Sequence, residues 1–356
     1  MIKVINGWRG AFALMIVLFH VGVTGTEEMT WAGVSFFMMA SGMLLAMRYP
    51  MKQLNGATYR RFVWRHALKL YPLHWFTLVL WLIVMALVGA LTVRPVALVL
   101  NALLLQSWSL LHSIYFSCNR FSWFLSTLLF CYLCFPLLAR WFMPLRLRHK
   151  AIILAVLAVI DIALLAGHDA YWRTALYVFP PVRLIDFMIG MTLAHACRLF
   201  KGFHVLGKGE NGTDAELVAV ALLSAVVLTF RTYSSLLPWS DAVIWWIPVA
   251  LILLVAVTYD QREGFVGKFF ASRPMQWIGN ISFEIFMLQG LSALAYNYLL
   301  SPVLVHFNVP AMMDVVARDF GFAGAIPIAW FILPIVILFA WLVNRLFTRP
   351  VRRMMG

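Results

Sequence analysis

One long apolar run follows another through this sequence, and that feature limits the fold more than any other. Runs near 8–24, 31–48, 70–91, 121–139, 151–167, 176–197, 217–230, 242–259, 277–299 and 325–344 approach or reach the ~20 residues that carry a helix across a ~30 Å hydrocarbon core. Lipid offers no water to backbone N–H and C=O groups, so only helices and closed barrels can span it. Barrel strands alternate apolar and polar residues, and these runs do not. Composition agrees, with 63% hydrophobic and only 12% charged residues. The expected fold is an all-α, polytopic membrane bundle of about ten helices. It forms a single domain over residues 1–356, with no separate soluble domain.

The formal charge of +14 would suit a nucleic acid on its own. The distribution points elsewhere. With the N-terminus in the cytoplasm and the short run 97–110 not crossing, most of the 28 Lys and Arg fall in inner loops and tails. Outer loops keep Arg94, Arg120, Arg173, Arg231 and Arg318, and Arg183 is left inside a span. This is the positive-inside bias, and it puts both termini on the cytoplasmic face of an inner membrane. A crossing at 97–110 would swap every later loop and erase the bias. That segment is therefore expected to be re-entrant or interfacial. Anionic lipid is the partner this charge implies, and no nucleic acid.

Lys3 before the first apolar run resembles a secretory signal, but so many following spans favour a retained anchor. Cys131 and Cys134 form a C-x-x-C inside an apolar helix, where packing is the better reading than redox or metal chemistry. No metal is expected. There is no internal repeat. The stretch 48–69 is basic and aromatic, and 201–216 is a Gly-rich loop. Any chemistry must come from residues within or beside the spans.

An ionisable group inside a span costs ~2.5–3.5 kcal/mol on insertion scales, so each one asks for a reason. The candidates are His20, His74, Asp161, Arg183, Asp186, His195 and Glu284. Arg183 and Asp186 are one turn apart and can neutralise each other as a structural pair. Arg9 and His20 differ from the rest. Eleven positions bring them within ~20° of one helix face with ~16 Å of rise between them. One stripe thus carries a cation at the inner surface and an imidazole well inside. Arg65, His66 and Lys69, at spacings of three and four, add positive charge near the same entrance. An anion held at the surface with a long arm reaching a histidine suggests an acyl thioester such as acyl-CoA. Its phosphates would pair with Arg and Lys. The imidazole could act as general base or carry the acyl group itself.

These residues resemble a known family, the membrane-bound acyltransferase-3 proteins. The opening "NGWRGAFALMIVLFH" resembles its signature of an Arg and a His in the first span. "GVSFFMMASGMLL", containing Ser41, resembles the second-span pattern ending in Ser-Gly, and "RHALKLYPLHW" resembles the basic motif before Tyr-Pro. "FSCNRFSWFLSTLLFCYLCFPLL" resembles the Asn-x-x-x-Trp-x-Leu-Ser region, here Asn119, Trp123 and Ser126. "FPPVRLIDFMIGM" and "SRPMQWIGNISFEIFMLQ" resemble two later segments, in order along the chain.

The resemblance implies a membrane O-acyltransferase that moves an acetyl or other short acyl group from acyl-CoA to a carbohydrate or lipid-linked glycan. No permanently bound cofactor is expected. His20 takes the catalytic position, while Arg9, Arg65, His66 and Lys69 take the acyl-donor positions. Ser41, Asn119, Trp123, Ser126, Arg183, Asp186 and Glu284 are the supporting candidates. The sequence also departs from the pattern. Leu128 stands where many members have Glu, Gln289 replaces a common His, and His66 and Lys69 fall where two arginines are usual. Asp186 or Glu284 could supply the missing acid. The rival reading is a transporter or flippase for a lipid-linked sugar or small carboxylate, lined by Asp161, Arg183 and Asp186. A structural or sensory role leaves the Arg9–His20 stripe without a purpose. Trp31, Trp123, Trp172 and Trp239 fit an interfacial belt better than a sugar platform. Acceptor, acyl length and oligomeric state stay open at this level.

Overall fold

The computed structural model describes residues 2–23, 26–49, 55–92, 94–166, 169–203, 212–233, 243–259, 264–300 and 322–354. Trp239, Lys52, Lys208, Arg262, Arg318 and residues 204–211 of the 201–216 loop lie outside them. Among the described residues every regular element is a helix. In chain order they are α1 (Lys3–His20), α2 (Glu27–Arg48), α3 (Gly56–Leu87), α4 (Pro95–Ala102), α5 (His112–Tyr115), α6 (Trp123–Trp141), α7 (Leu147–Leu165), α8 (Ala170–Val178) and α9 (Pro180–Phe203). Then follow α10 (Thr213–Thr232), α11 (Val243–Thr258), α12 (Phe265–Ala271), α13 (Arg273–Asn280), α14 (Ser282–Ala295), α15 (Phe322–Val343) and α16 (Arg349–Met354).

All ten apolar runs read from the sequence coincide with a helix or a bent helix pair. Among the described residues, five helices are long and apolar enough to cross a membrane alone, or up to seven if each bent pair is one span. The chain is thus an all-α multi-pass membrane protein. The pair α8–α9 bends by 54° and the pair formed by α13 and the helix after it by 64°. Pro180 and Pro181 explain the first bend, because proline removes an N–H and starts a new helix. The freed Val178 carbonyl meets the Thr127 hydroxyl at 3.1 Å.

The run 97–110 does not form a continuous helix. It breaks at Leu104, which has φ of 57°, and its longest piece is the 8-residue α4. At 1.5 Å per residue this is far too short to span. Side chains one turn apart on α3 hold its end in place. Tyr71 Oη donates to the Leu103 carbonyl, Trp75 Nε1 to Ala102, and His74 Nε2 to Asn101, at 2.8–3.0 Å. These satisfy carbonyls that a helix end leaves without partners. His74 is therefore a capping residue, which accounts for its place in a span.

The tightest crossing joins α2 and α9. Gly42 faces the Phe187 carbonyl, and Gly190 faces the Met39 carbonyl so closely that a Cβ at either would overlap backbone. A second such crossing seats Gly279 of α13 on the Asn6 backbone of α1. Small residues allow this approach, which is what drives helix association where lipid removes the hydrophobic term. Replacing Gly190 with Val should cost ~1–3 kcal/mol through overpacking. It should lower the thermal midpoint in detergent, while Gly56→Ala, which meets no atom within 4 Å, leaves the midpoint unchanged.

Candidate active site

Two cavities lie along α1. The larger, about 500 Å³, is lined by Arg9, Arg48, Lys69 and Arg352, with His66, Tyr49 and Tyr132 beside them. Its volume falls within the range of small-molecule sites, ~300–1,000 Å³. No Asp or Glu is among the described residues that line it. The smaller, about 250 Å³, is lined by His20 together with Thr30, Trp31, Arg120, Trp123 and Tyr177. The helical period thus delivers Arg9 to one cavity and His20 to the other. Ser41 also faces the larger cavity and donates to the Phe37 carbonyl at 2.7 Å.

His20 is half-buried, with its ring open to the smaller cavity. Its Nδ1 lies 2.7 Å from the Ile16 carbonyl. A carbonyl can only accept, so Nδ1 carries the proton and Nε2 keeps its lone pair. His66 repeats this arrangement, with Nδ1 donating to the Phe62 carbonyl at 2.7 Å and the ring stacked on Phe62. The ring of Phe121 stands edge-on to His20 at 4.8 Å.

Four basic residues converge on the larger cavity from three helices and the chain's last turns. Arg48 ends α2, Lys69 is on α3, and Arg352 is on α16. Arg48 and Arg352 are the functional candidates that sequence reasoning missed, since terminal and loop arginines also satisfy topology. Arg65 stands apart from these, although it acts electrostatically on His66 and Lys69. It is exposed and does not line the cavity. Arg65 and His66 each neighbour Lys69 in helical spacing, but adjacent residues point ~100° apart. The cavity takes the His66 side.

The supporting candidates divide into groups. Trp123 lines the His20 cavity and packs on Tyr177 at 5.2 Å. Asn119 Nδ2 donates to the Met287 carbonyl at 3.0 Å and ties the segment before α6 to α14. Ser126 is buried and lines neither cavity. Glu284 is fully buried, accepts from Asn344 Nδ2 at 2.8 Å, and acts electrostatically on Arg9. Leu128 presents an apolar wall to the larger cavity.

Arg183 and Asp186 are fully buried and paired at 3.0 Å. Arg183 Nε also donates to the Tyr177 carbonyl at 2.7 Å, and its guanidinium lies 4.4 Å from the Tyr177 ring. Asp161, on α7, is within electrostatic reach of the same pair. None of the three lines either cavity. The pair instead braces Tyr177, a wall of the His20 cavity. His195 lies apart from both, against Lys150 Nζ at the edge of another cavity bordered by Arg140 and Arg198. Cys131 is buried in the core, as a packing residue would be. Among the described residues no cluster of His, Cys, Asp or Glu could hold a metal.

Residues 2–345 match a family model described as an acyltransferase domain. No curated protein and no solved structure matches the chain.

Removing one member of a buried ion pair strands the other, at ~3–5 kcal/mol. Arg183→Leu should therefore reduce the thermal midpoint sharply. The double variant Arg183→Leu/Asp186→Leu should recover part of that loss, read by the same unfolding assay.

Proposed function

Because the chain belongs to acyltransferase family 3, and is on that ground a membrane acyltransferase, we propose that it is an O-acyltransferase using cytoplasmic acyl-CoA. It moves an acetyl or other short acyl group to a hydroxyl of a cell-envelope carbohydrate or its lipid-linked precursor. It does so in the inner membrane, with ten spans and both termini cytoplasmic. The observation that carries this reading is the α1 stripe: a basic cavity at Arg9 and an open imidazole at His20, about three turns apart.

The chemistry follows from what each end can bind. Arg9, Arg48 and Arg352 offer planar guanidinium forks for phosphate oxygens, and Lys69 offers a point charge. The extended arm of the donor then runs along α1 toward His20. Nε2 of His20 takes the acceptor hydroxyl proton while that oxygen attacks the thioester carbonyl carbon. The C–O bond forms, the C–S bond breaks, and the departing thiolate takes the proton back from the imidazolium. The Ile16 carbonyl fixes the ring through Nδ1 and leaves Nε2 as the base. Trp31, Trp123 and Tyr177 give the acceptor side an aromatic wall suited to a sugar ring.

The family membership favours transfer over transport. The charged residues that would line a transport path, Asp161, Arg183 and Asp186, lie away from both cavities.

His20→Ala should lower transfer by ~10²–10⁴-fold, the usual share of a general base, with the protein still folded and inserted. Mass spectrometry of envelope glycans should show one acyl mass disappear in cells carrying this variant. Lys69→Ala and Arg352→Ala should each raise the KM for acyl-CoA by roughly tenfold, about 1.4 kcal/mol, with little change in kcat. The increase should shrink at high salt, because the lost interaction is electrostatic. Unchanged glycan acylation in the His20 variant would overturn the mechanism.

A further inference from the structure

Among the described residues, the linings of the donor and His20 cavities have one member in common, Phe286 of α14. It is 7% exposed and stands between them. Its ring meets Phe124, which faces the donor cavity, edge-to-face at 5.3 Å. It meets Phe121, which faces the His20 cavity, at 6.1 Å. Phe121 in turn sits edge-on to the His20 ring. Gly290 leaves room for this arrangement, since a Cβ there would lie 2.8 Å from Phe121 Cε2. The backbone beneath the ring is held as well: Gln289 Nε2 donates to the Phe286 carbonyl at 2.9 Å.

We propose that Phe286 is the partition between the donor cavity and the His20 chamber, and that it sets acyl-chain selectivity and keeps water from the thioester carbonyl. This rests on the acyl-transfer reading above. A thioester reaching His20 must pass the Phe286 ring. Its acyl chain must then fit, together with the acceptor hydroxyl, into about 250 Å³. With the ring in place a short chain fits and a long one has no space to fold back. The same ring separates the imidazole from water in the wider, charged donor cavity. Three aromatic rings suit this task, because they seal by apolar contact and turn aside without breaking a hydrogen bond.

Without the partition, water would replace the acceptor. Nε2 would take a proton from water, hydroxide would add to the carbonyl, and the C–S bond would break. The thiolate takes the proton back from the imidazolium, and the carboxylic acid loses its own proton to water, leaving the free carboxylate and the CoA thiol. The experiment therefore needs no acceptor. Full-length wild type, Phe286→Ala, Phe286→Leu and Phe286→Ala/His20→Ala would be reconstituted in nanodiscs. Thiol release would be followed with acetyl-CoA and with octanoyl-CoA.

Phe286→Ala should hydrolyse acetyl-CoA at least about tenfold faster than wild type, and its preference for acetyl over octanoyl should fall by a similar factor. Phe286→Leu should lie between the two. Adding His20→Ala should abolish the gained hydrolysis, which a merely loosened fold would not do. Thermal unfolding of each protein with and without acetyl-CoA checks folding and donor binding separately. If Phe286→Ala is unstable, Phe286→Leu carries the test. A folded variant that binds acetyl-CoA but matches wild type in hydrolysis and chain preference would overturn the partition alone. No stabilisation of wild type by any acyl-CoA would overturn the donor reading, and the partition with it.

Discussion

The regular rise of one helix connects everything that looks functional in this protein. An α-helix in hydrocarbon satisfies its own backbone and cannot be locally remade without exposing polar groups. α1 therefore acts as a fixed ruler between Arg9 and His20. The rest of the bundle keeps that ruler in place. Gly279 lets α13 lie directly on the Asn6 backbone, and the Asn6 amide reaches Gln276 and Asn280 at 3.1 Å. The bent α13–α14 unit then brings Phe286 to the boundary between the two cavities. On the acyl-transfer reading, position along α1 sets what each cavity is for, and α14 sets what separates them.

Much of this was legible in the sequence, for reasons that are local. Apolar length predicts helices because lipid leaves the backbone no alternative, and ten runs became helical elements. The Arg9–His20 stripe depends only on 3.6 residues per turn, so it could be read without knowing any neighbour. The break in 97–110 followed from length and charge. Arg48 and Arg352 were not legible, because an arginine at a membrane surface has a sufficient topological reason to be there. Only the tertiary arrangement brings a tail residue to Lys69. Arg65 shows the same limit of local reading: its spacing to Lys69 is helical, yet it is exposed and is not among the residues lining the cavity. Phe286 is one phenylalanine among 28, and nothing local marks it.

The buried charges illustrate how cost and purpose can be separated. Arg183 and Asp186 neutralise each other, and their chemistry is consumed by Tyr177 and the pair itself. They shape the His20 chamber by holding its wall. Glu284, engaged by Asn344, is the buried carboxylate that acts on Arg9. It lies near the basic cavity without lining it. Of the two acids weighed as substitutes for the one missing at Leu128, Glu284 is thus the one positioned near the donor end.

On the acyl-transfer reading, the lack of a carboxylate among the described residues lining its chamber also limits how His20 can work. In a carboxylate-oriented histidine, the acid both aims the ring and stabilises the imidazolium. Here the Ile16 carbonyl aims the ring but brings no full charge. Arg120, a cation, faces the same chamber, and no carboxylate is among the described residues lining it. Complete proton transfer ahead of attack would place two cations together in a site of low dielectric, where repulsion is strong. Proton removal in step with attack avoids this, because negative charge grows on the carbonyl oxygen as positive charge grows on the ring. The gain is realised only while the thioester is present. A histidine without its carboxylate is in this sense a base that the donor itself switches on.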